Sequence, residues 1–378
     1  MIDPKAVLAG QVRRGVPVGA IVSIAISSVC LAGFLGLFLL VGGLVFFVAA
    51  ILSVVTLVPM MAGTLALDRL EPEPRHLLVM AFLWGAGVSV VFSSIGEAVL
   101  GFGVFSEDAT SVFLAPIVEE TAKALVLFGL FWFRRNEFNG VTDGVVYAAT
   151  TALGFAAAEN IGYYIISATE GASSLAVVFV LRGILSPFCH PVFTSMTGIG
   201  LALATRRRSR AARVFLPLGG LIAAMALHAI WNGSSSIGIG ALGLAFLLMI
   251  GVLVGILVAV RVDRKRTIAR IETYMAQYIP TGLVTYGDLA MLSTLKARKQ
   301  AREWARSTYG KSGFDAMRDY QQACTELTML HDRAVDGIVP AYQFEAHCNE
   351  LLTLMQLARN AFLGSGNPAV PMMNVPPQ

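Results

Sequence analysis

The sequence predicts an all-α fold, a polytopic transmembrane helix bundle of about eight spans with a small cytoplasmic helical C-terminal region. Three observations carry that prediction. Of 378 residues, 56% are hydrophobic and only 14% charged, and the mean hydropathy is +0.70, too apolar for an ordinary soluble protein. The apolar residues gather into stretches of about 20 or more, the length a helix needs to cross a bilayer. The basic residues outside those stretches fall only in alternate connections, the pattern of a topology set by positive charge.

Taken in order, residues 16–67 are almost continuously apolar, about twice what one helix needs, with Gly42-Gly43 as the hairpin between spans near 17–40 and 44–66. A charged connector follows (Asp68, Arg69, Glu71, Glu73, Arg75, His76). The third span covers about 77–100 and the fourth about 111–133, separated by an acidic loop with Glu107 and Asp108. The fifth runs about 143–166. The sixth, about 174–204, contains Ser186-Pro187, where the missing amide hydrogen of proline predicts a kink. Spans near 214–233 and 237–260 complete the set. The first apolar stretch runs past the length of a signal-peptide core without a small-residue cleavage site, so no cleaved leader is expected.

With the N-terminus cytoplasmic, the inside segments hold Lys5, Arg13, Arg14, Arg69, Arg75, Arg134, Arg135, Arg206, Arg207, Arg208, Arg210, Arg213 and the basic cluster after Arg261, and the outside loops hold no Lys or Arg. Both termini are therefore expected in the cytoplasm, the protein being a multi-pass component of the cell (inner or plasma) membrane. Residues 1–261 form the expected transmembrane domain. Residues 262–363 change to a mixed, charged composition with helical stretches near 287–308, 313–335 and 340–363, broken at Gly310, Gly313 and Gly337. This region suits contact with a cytoplasmic protein partner. Its basic start (Arg264, Lys265, Arg266) reads as a topology anchor, and the interspersed acidic residues argue against nucleic acid. From Gly364 to Gln378, Gly, Pro and Asn predict a disordered tail. The four cysteines, Cys30, Cys189, Cys324 and Cys348, form no CxxC pair, so neither a disulfide framework nor a cysteine metal site is expected.

Function is concentrated in the few ionisable residues inside the spans: Glu97, Glu119, Glu120, Lys123, Glu159, Arg182, His190 and His228. A charge at mid-membrane costs about 2.5–3.5 kcal/mol even on lenient scales, so each needs partners. Glu119 and Glu120 lie four and three residues before Lys123, which lets one ammonium reach both carboxylates and leaves the pair titrating as a unit. At about 1.5 Å per residue, Glu119, Glu120, Glu159 and His228 lie about 10–14 Å below the outer ends of their helices, and His190 lies nearer the middle. Glu159 follows three alanines that permit close helix approach, and Arg182 is a candidate counter-ion for it. His228 and Asn232, four apart, suit a donor pair aimed at one oxygen. Glu97, near a helix end, is assigned no role, and Gly198-Ile199-Gly200 reads as a helix-contact surface. These residues alone are compatible with a hydrolytic site, with a proton relay in a proton-coupled transporter, or with ion pairs in a non-catalytic receptor.

The order of motifs narrows this choice. Glu119-Glu120-x-x-Lys123, then Phe155-x-x-x-Glu159-Asn160, then Arg182 and His190 on the next span, then His228-x-x-Trp231-Asn232 resembles the PrsW family of intramembrane proteases, allied to the CAAX prenyl endopeptidases and bacteriocin-processing membrane proteins. The resemblance covers about residues 77–240. Glu159, where the CAAX branch usually has histidine, makes a prenylated substrate less expected. The resemblance implies cleavage of a single-span, membrane-anchored protein near its extracytoplasmic side, the best-known case being an anti-sigma factor in a bacterial stress response. It implies that Glu119 or Glu120 activates water with help from Glu159, that His228 and Asn232 stabilise the oxyanion, and that His190 completes the site. It also allows a zinc ion held by Glu159, His190 and His228, although no HExxH helix supports this.

Overall fold

The computed structural model describes residues 18–134, 138–205, 207 and 209–363. Lys5, Arg13, Arg14, Arg135, Arg206, Arg208 and the tail from Gly364, all used in the sequence reading, lie outside the described residues. The described residues form helices and no strands. They divide into two compact units, one of residues 18–68 and 72–261, the other of residues 69–71 and 262–363.

In the first unit, helix α1 (Val18–Gly42) turns at Gly43, whose φ of 52° is open to glycine at little cost, into α2 (Leu44–Leu67). Helix α3 (Arg75–Gly101) widens to a π-helical turn at Trp84–Ser89. Another π segment, Thr110–Leu114, leads into α4 (Ala115–Phe133), where Pro116 occupies the first turn and needs no amide hydrogen. Helix α5 (Val141–Glu170) starts at the Asp143 carboxylate, which accepts the Asn139 and Gly140 N–H groups at 2.6 and 3.0 Å. Helix α6 (Ala172–Val178) passes into a π segment, Phe179–Leu185, and the chain breaks at Ser186–Phe188 before α7 (Cys189–Thr205), as the Ser186-Pro187 pair predicts. Helices α8 (Arg210–Ile237) and α9 (Ile239–Ala276) follow.

Seven helices among the described residues are long and apolar enough to cross a membrane, and the protein is a multi-pass membrane protein. The eighth stretch of the sequence reading is α4. At 19 residues, about 28 Å, it matches the thickness of a bilayer core, but it stands apart from the seven because Glu119, Glu120 and Lys123 interrupt its apolar surface.

Helix α5 is the axis of this unit and is buried over most of its length. Its small residues explain why. A Cβ on Gly144 would collide with the Gly198 carbonyl of α7, and one on Gly198 with the Gly144 carbonyl, so the two backbones touch. A Cβ on Gly154 would strike the Phe82 carbonyl of α3. Phe155 and Ala158 of α5 pack with Ala86 and Val90 of α3 in a common core. This close packing fixes the depth of Glu159 against its neighbours.

The second unit holds residues 262–276 of α9 with α10 (Tyr286–Leu292), α11 (Leu295–Val335, interrupted at Gly310 with φ 68°) and α12 (Ala341–Leu363). Its core includes Met275, Leu292, Tyr320, Cys324, Leu327, Met355 and Phe362. The buried guanidinium of Arg298 donates to the carbonyls of Leu292 and Leu70 and to the Thr325 hydroxyl at 3.0, 3.3 and 3.0 Å, and burial lowers its pKa to about 10.

Candidate active site

Lys123 is the hub of the polar cluster. Its side chain is fully buried, and its ammonium donates to Glu119 Oε2 at 3.0 Å, Glu120 Oε1 at 2.9 Å and His190 Nδ1 at 3.2 Å. The same ammonium sits 3.7 Å from the centroid of the Phe155 ring. The i, i+3 and i, i+4 spacing on α4 brings the two carboxylates to it, and the packing of α5 and α7 brings the aromatic ring and the imidazole.

The two adjacent glutamates have different surroundings. Glu120 is fully buried: its Oε1 also meets His228 Nδ1 at 3.2 Å, and its Oε2 accepts the Thr194 hydroxyl at 2.8 Å. Glu119 lines a cavity, its Oε2 lying 4.0 Å from His228 Nε2, and no hydrogen-bond partner of its other oxygen is found among the described residues. His228, itself buried, stacks on Phe193 with ring centroids 4.7 Å apart and planes at 18°. A donor at Nδ1 toward Glu120 leaves Nε2 facing Glu119.

Glu159 forms a second group. It pairs with the Arg182 guanidinium and lies 3.1 Å from His190 Nε2. Arg182 also donates to Asn160 Oδ1 at 2.8 Å and lies 3.8 Å from the centroid of the Tyr163 ring. His190 thus bridges the two groups, accepting from Lys123 at Nδ1 and donating to Glu159 from Nε2.

The cavity, about 550 Å³, is lined by Glu97, Glu107, Glu119, Glu159, Tyr163, Arg182, His190, His228, Trp231 and Asn232, with Phe102 and Phe105 near the α3 end. The structure therefore gathers around one cavity, or directly behind it, all eight residues singled out from the sequence: Glu119, Glu120, Lys123, Glu159, Arg182, His190, His228 and Asn232. The expected donor pair differs in detail. The Asn232 side-chain N–H donates to the Ser111 carbonyl at 2.9 Å, leaving the second hydrogen of that amide for a ligand, while His228 is held by Glu120.

Thr194, Phe193 and Tyr163 were not found from the sequence. Thr194 lies four residues after His190, a spacing that places both on one face of α7 and was available as a signal. Phe193 and Tyr163 are apolar or aromatic residues among many, and nothing in their local sequence marks them. Trp84, whose indole N–H donates to the Ala122 carbonyl at 3.0 Å, braces α4 against α3 one residue before Lys123.

The donor set offers a metal site of another composition than expected. Ligand atoms of Glu119, Glu120, His190 and His228 all lie within 4.8 Å of one another. Glu159 is not among them, because its carboxylate is turned to Arg182 and to the far nitrogen of His190. In kind and reach these four donors fit a zinc ion. The Lys123 ammonium already lies within 3.2 Å of three of them.

Comparison with known proteins places these residues in a family. The pattern described as PrsW family intramembrane metalloprotease matches residues 73–260. Relatives include Protease PrsW of Geobacillus kaustophilus, 30% identical over 35% of this chain and 55% of that protein, and Protease PrsW of Clostridioides difficile, 29% identical over 39% and 63%. Protease PrsW of Bacillus subtilis is 30% identical over 43% of this chain and 70% of that protein. The chain thus spans 55% and 63% of the length of the first two relatives. No solved structure matches it. The matched segment, residues 73–260, contains every residue of the cluster around Lys123, and the chain belongs to the PrsW family.

Proposed function

We propose that the protein is an intramembrane endopeptidase that hydrolyses a peptide bond of a single-span membrane protein near the extracytoplasmic face, with Glu119 activating the water. The observation that carries this is the difference between the two glutamates: Glu120 has both oxygens engaged in the protein interior, whereas Glu119 presents a carboxylate to the cavity. Lys123, shared between them, donates to Glu119 Oε2 and orients the carboxylate that is placed to take a proton.

The steps follow from the positions of the groups. A water held between Glu119 Oε2 and His228 Nε2, which are 4.0 Å apart, gives a proton to Glu119 as its oxygen attacks the peptide carbonyl carbon. The oxyanion so formed meets the remaining N–H of Asn232. Glu119 then passes its proton to the amide nitrogen, the C–N bond breaks, and the products are a carboxylic acid and an amine. Arg182, fixed by Glu159, Asn160 and Tyr163 at the cavity wall, is placed to hold a substrate carbonyl. A second version has zinc held by Glu119, Glu120, His190 and His228, supported by the mutual reach of those donors; the metal would supply Lewis-acid polarisation of the carbonyl.

The distribution of charge supports an outward-facing cavity. The connections at the cavity end, 102–106 among them, hold no Lys or Arg, and those at the other end of the same unit hold Arg134 and Arg207. Both termini and the unit from residue 262 onward are then cytoplasmic. A substrate of this topology is an anti-sigma factor with one membrane span.

The test uses the purified full-length protein in liposomes with a single-span substrate. Cleaved fragments from the wild type, and none from Glu119→Ala or His228→Ala protein of normal insertion, support the proposal. Proton flux without cleavage would favour the transporter reading instead.

A further inference from the structure

Glu97, on the last turns of α3, lines the same cavity as Glu119 and Glu159. Two of the other carboxylates there have cations: Lys123 serves Glu119 and Arg182 serves Glu159. Among the described residues neither Glu97 nor Glu107 has an ion pair, and Arg182 is the only Lys or Arg that lines the cavity. The position is electrostatically unfavourable for a carboxylate in two ways. Glu97 stands near the negative, C-terminal end of α3, and it faces a cavity that already holds three other glutamates, Glu107, Glu119 and Glu159. A cation brought in by a ligand would offset both. Phe102 and Phe105, beside Glu97 in the cavity wall, suit the aliphatic stem of such a ligand.

We propose that Glu97 makes the cavity select a substrate segment carrying a lysine or arginine side chain beside the scissile bond, on its extracytoplasmic side. This rests on the endopeptidase function proposed above. The selecting pair is Glu97 with Glu107 as a more exposed auxiliary at the mouth; Glu119 remains with the water.

The experiment uses the full-length protein in liposomes and a single-span model substrate into which one lysine is moved position by position along the outer juxtamembrane segment, each compared with glutamine at the same position. The wild type is expected to cut one or two of the lysine forms with kcat/KM on the order of tenfold above their glutamine counterparts, the effect of one partly desolvated charge pair. In Glu97→Gln protein the ratio should fall to near unity, and in Glu97→Lys protein a glutamate-bearing substrate should become the better one. Because the ratio is read within each protein, a variant that folds in lower yield still reports it, and the wild-type scan needs no variant. Cutting of all forms alike by the wild type, or a lysine preference that survives in Glu97→Gln, would overturn the proposal while leaving the endopeptidase standing. Absence of cutting of every form by the wild type would overturn both.

Discussion

The Thr194 hydroxyl donates to Glu120 Oε2 at 2.8 Å, joining residues 74 positions apart and occupying the last oxygen of a carboxylate that Lys123 and His228 already hold. This bond separates the surroundings of two neighbouring glutamates. Glu120 is fixed among Lys123, His228 and Thr194, and Glu119 is left to the cavity.

Removing that hydroxyl should therefore weaken the site without touching the cavity. Thr194→Val, nearly isosteric, leaves a buried carboxylate oxygen unpaired at a cost of about 1–3 kcal/mol. A lower thermal midpoint and slower cleavage are expected, and Thr194→Ser should restore much of both. Unchanged stability and rate in Thr194→Val would show that the bond contributes nothing.

Lys123 is the cation on which both carboxylates depend. Lys123→Met keeps the length of the chain but leaves two glutamates around an apolar group. Removing one partner of a buried charge cluster costs about 3–5 kcal/mol, so the variant should unfold at lower denaturant in detergent and accumulate poorly in the membrane. Denaturation of the purified variants measures this directly.

The same ammonium bears on the metal question. Lys123 Nζ is within 3.2 Å of Glu119, Glu120 and His190, three of the four residues that would bind zinc. In the proposed metal-free version Lys123 is the resident cation of the site. Cleavage should persist after extensive chelation, with metal analysis of the active protein giving less than one equivalent. Loss of activity on chelation and its return with zinc would establish the second version.

A pH effect is expected in the C-terminal unit. His331 is buried between Tyr274, Tyr278 and Phe344, its Nε2 2.7 Å from the Tyr278 hydroxyl and 3.2 Å from the Gln277 amide nitrogen, and burial lowers its pKa from 6.5 to about 4. The fold keeps the imidazole neutral, so its contribution to stability is complete above pH 6.5 and declines as the pH falls from 6.5 toward 4. Melting of the full-length protein across this window should show the decline, and His331→Gln should reduce it. An identical acid profile in the variant would assign the effect elsewhere.

Much of this organisation was legible in the sequence because membranes impose simple rules. Span lengths, the Gly43 turn and the break at Pro187 follow from apolar run length and from two residues with special backbones. The cluster was legible because Glu119, Glu120, Lys123, Glu159 and His190 are costly in a bilayer and therefore conspicuous. What was not legible depends on which atom faces which. Sequence spacing puts both glutamates within reach of Lys123, but only the packing of α7 shows that Thr194 closes off Glu120. Likewise the sequence offers Glu159 both Arg182 and the histidines, and only the packing shows that its carboxylate meets Arg182 and His190 together and stands outside the group of four donors. Glu97 has no assigned role in the sequence because its contact with the cavity depends on how α3 packs against its neighbours.

Whether Glu119 is the base of an endopeptidase is decided by single-turnover cleavage of a reconstituted single-span substrate by wild-type, Glu119→Gln and Glu120→Gln proteins, with the thermal midpoint of each measured alongside. Glu119→Gln should lose cleavage by at least about a thousandfold, within the range general-base removal produces, while melting close to the wild type. Glu120→Gln should melt lower. Cleavage by Glu119→Gln at the wild-type rate would rule Glu119 out as the base.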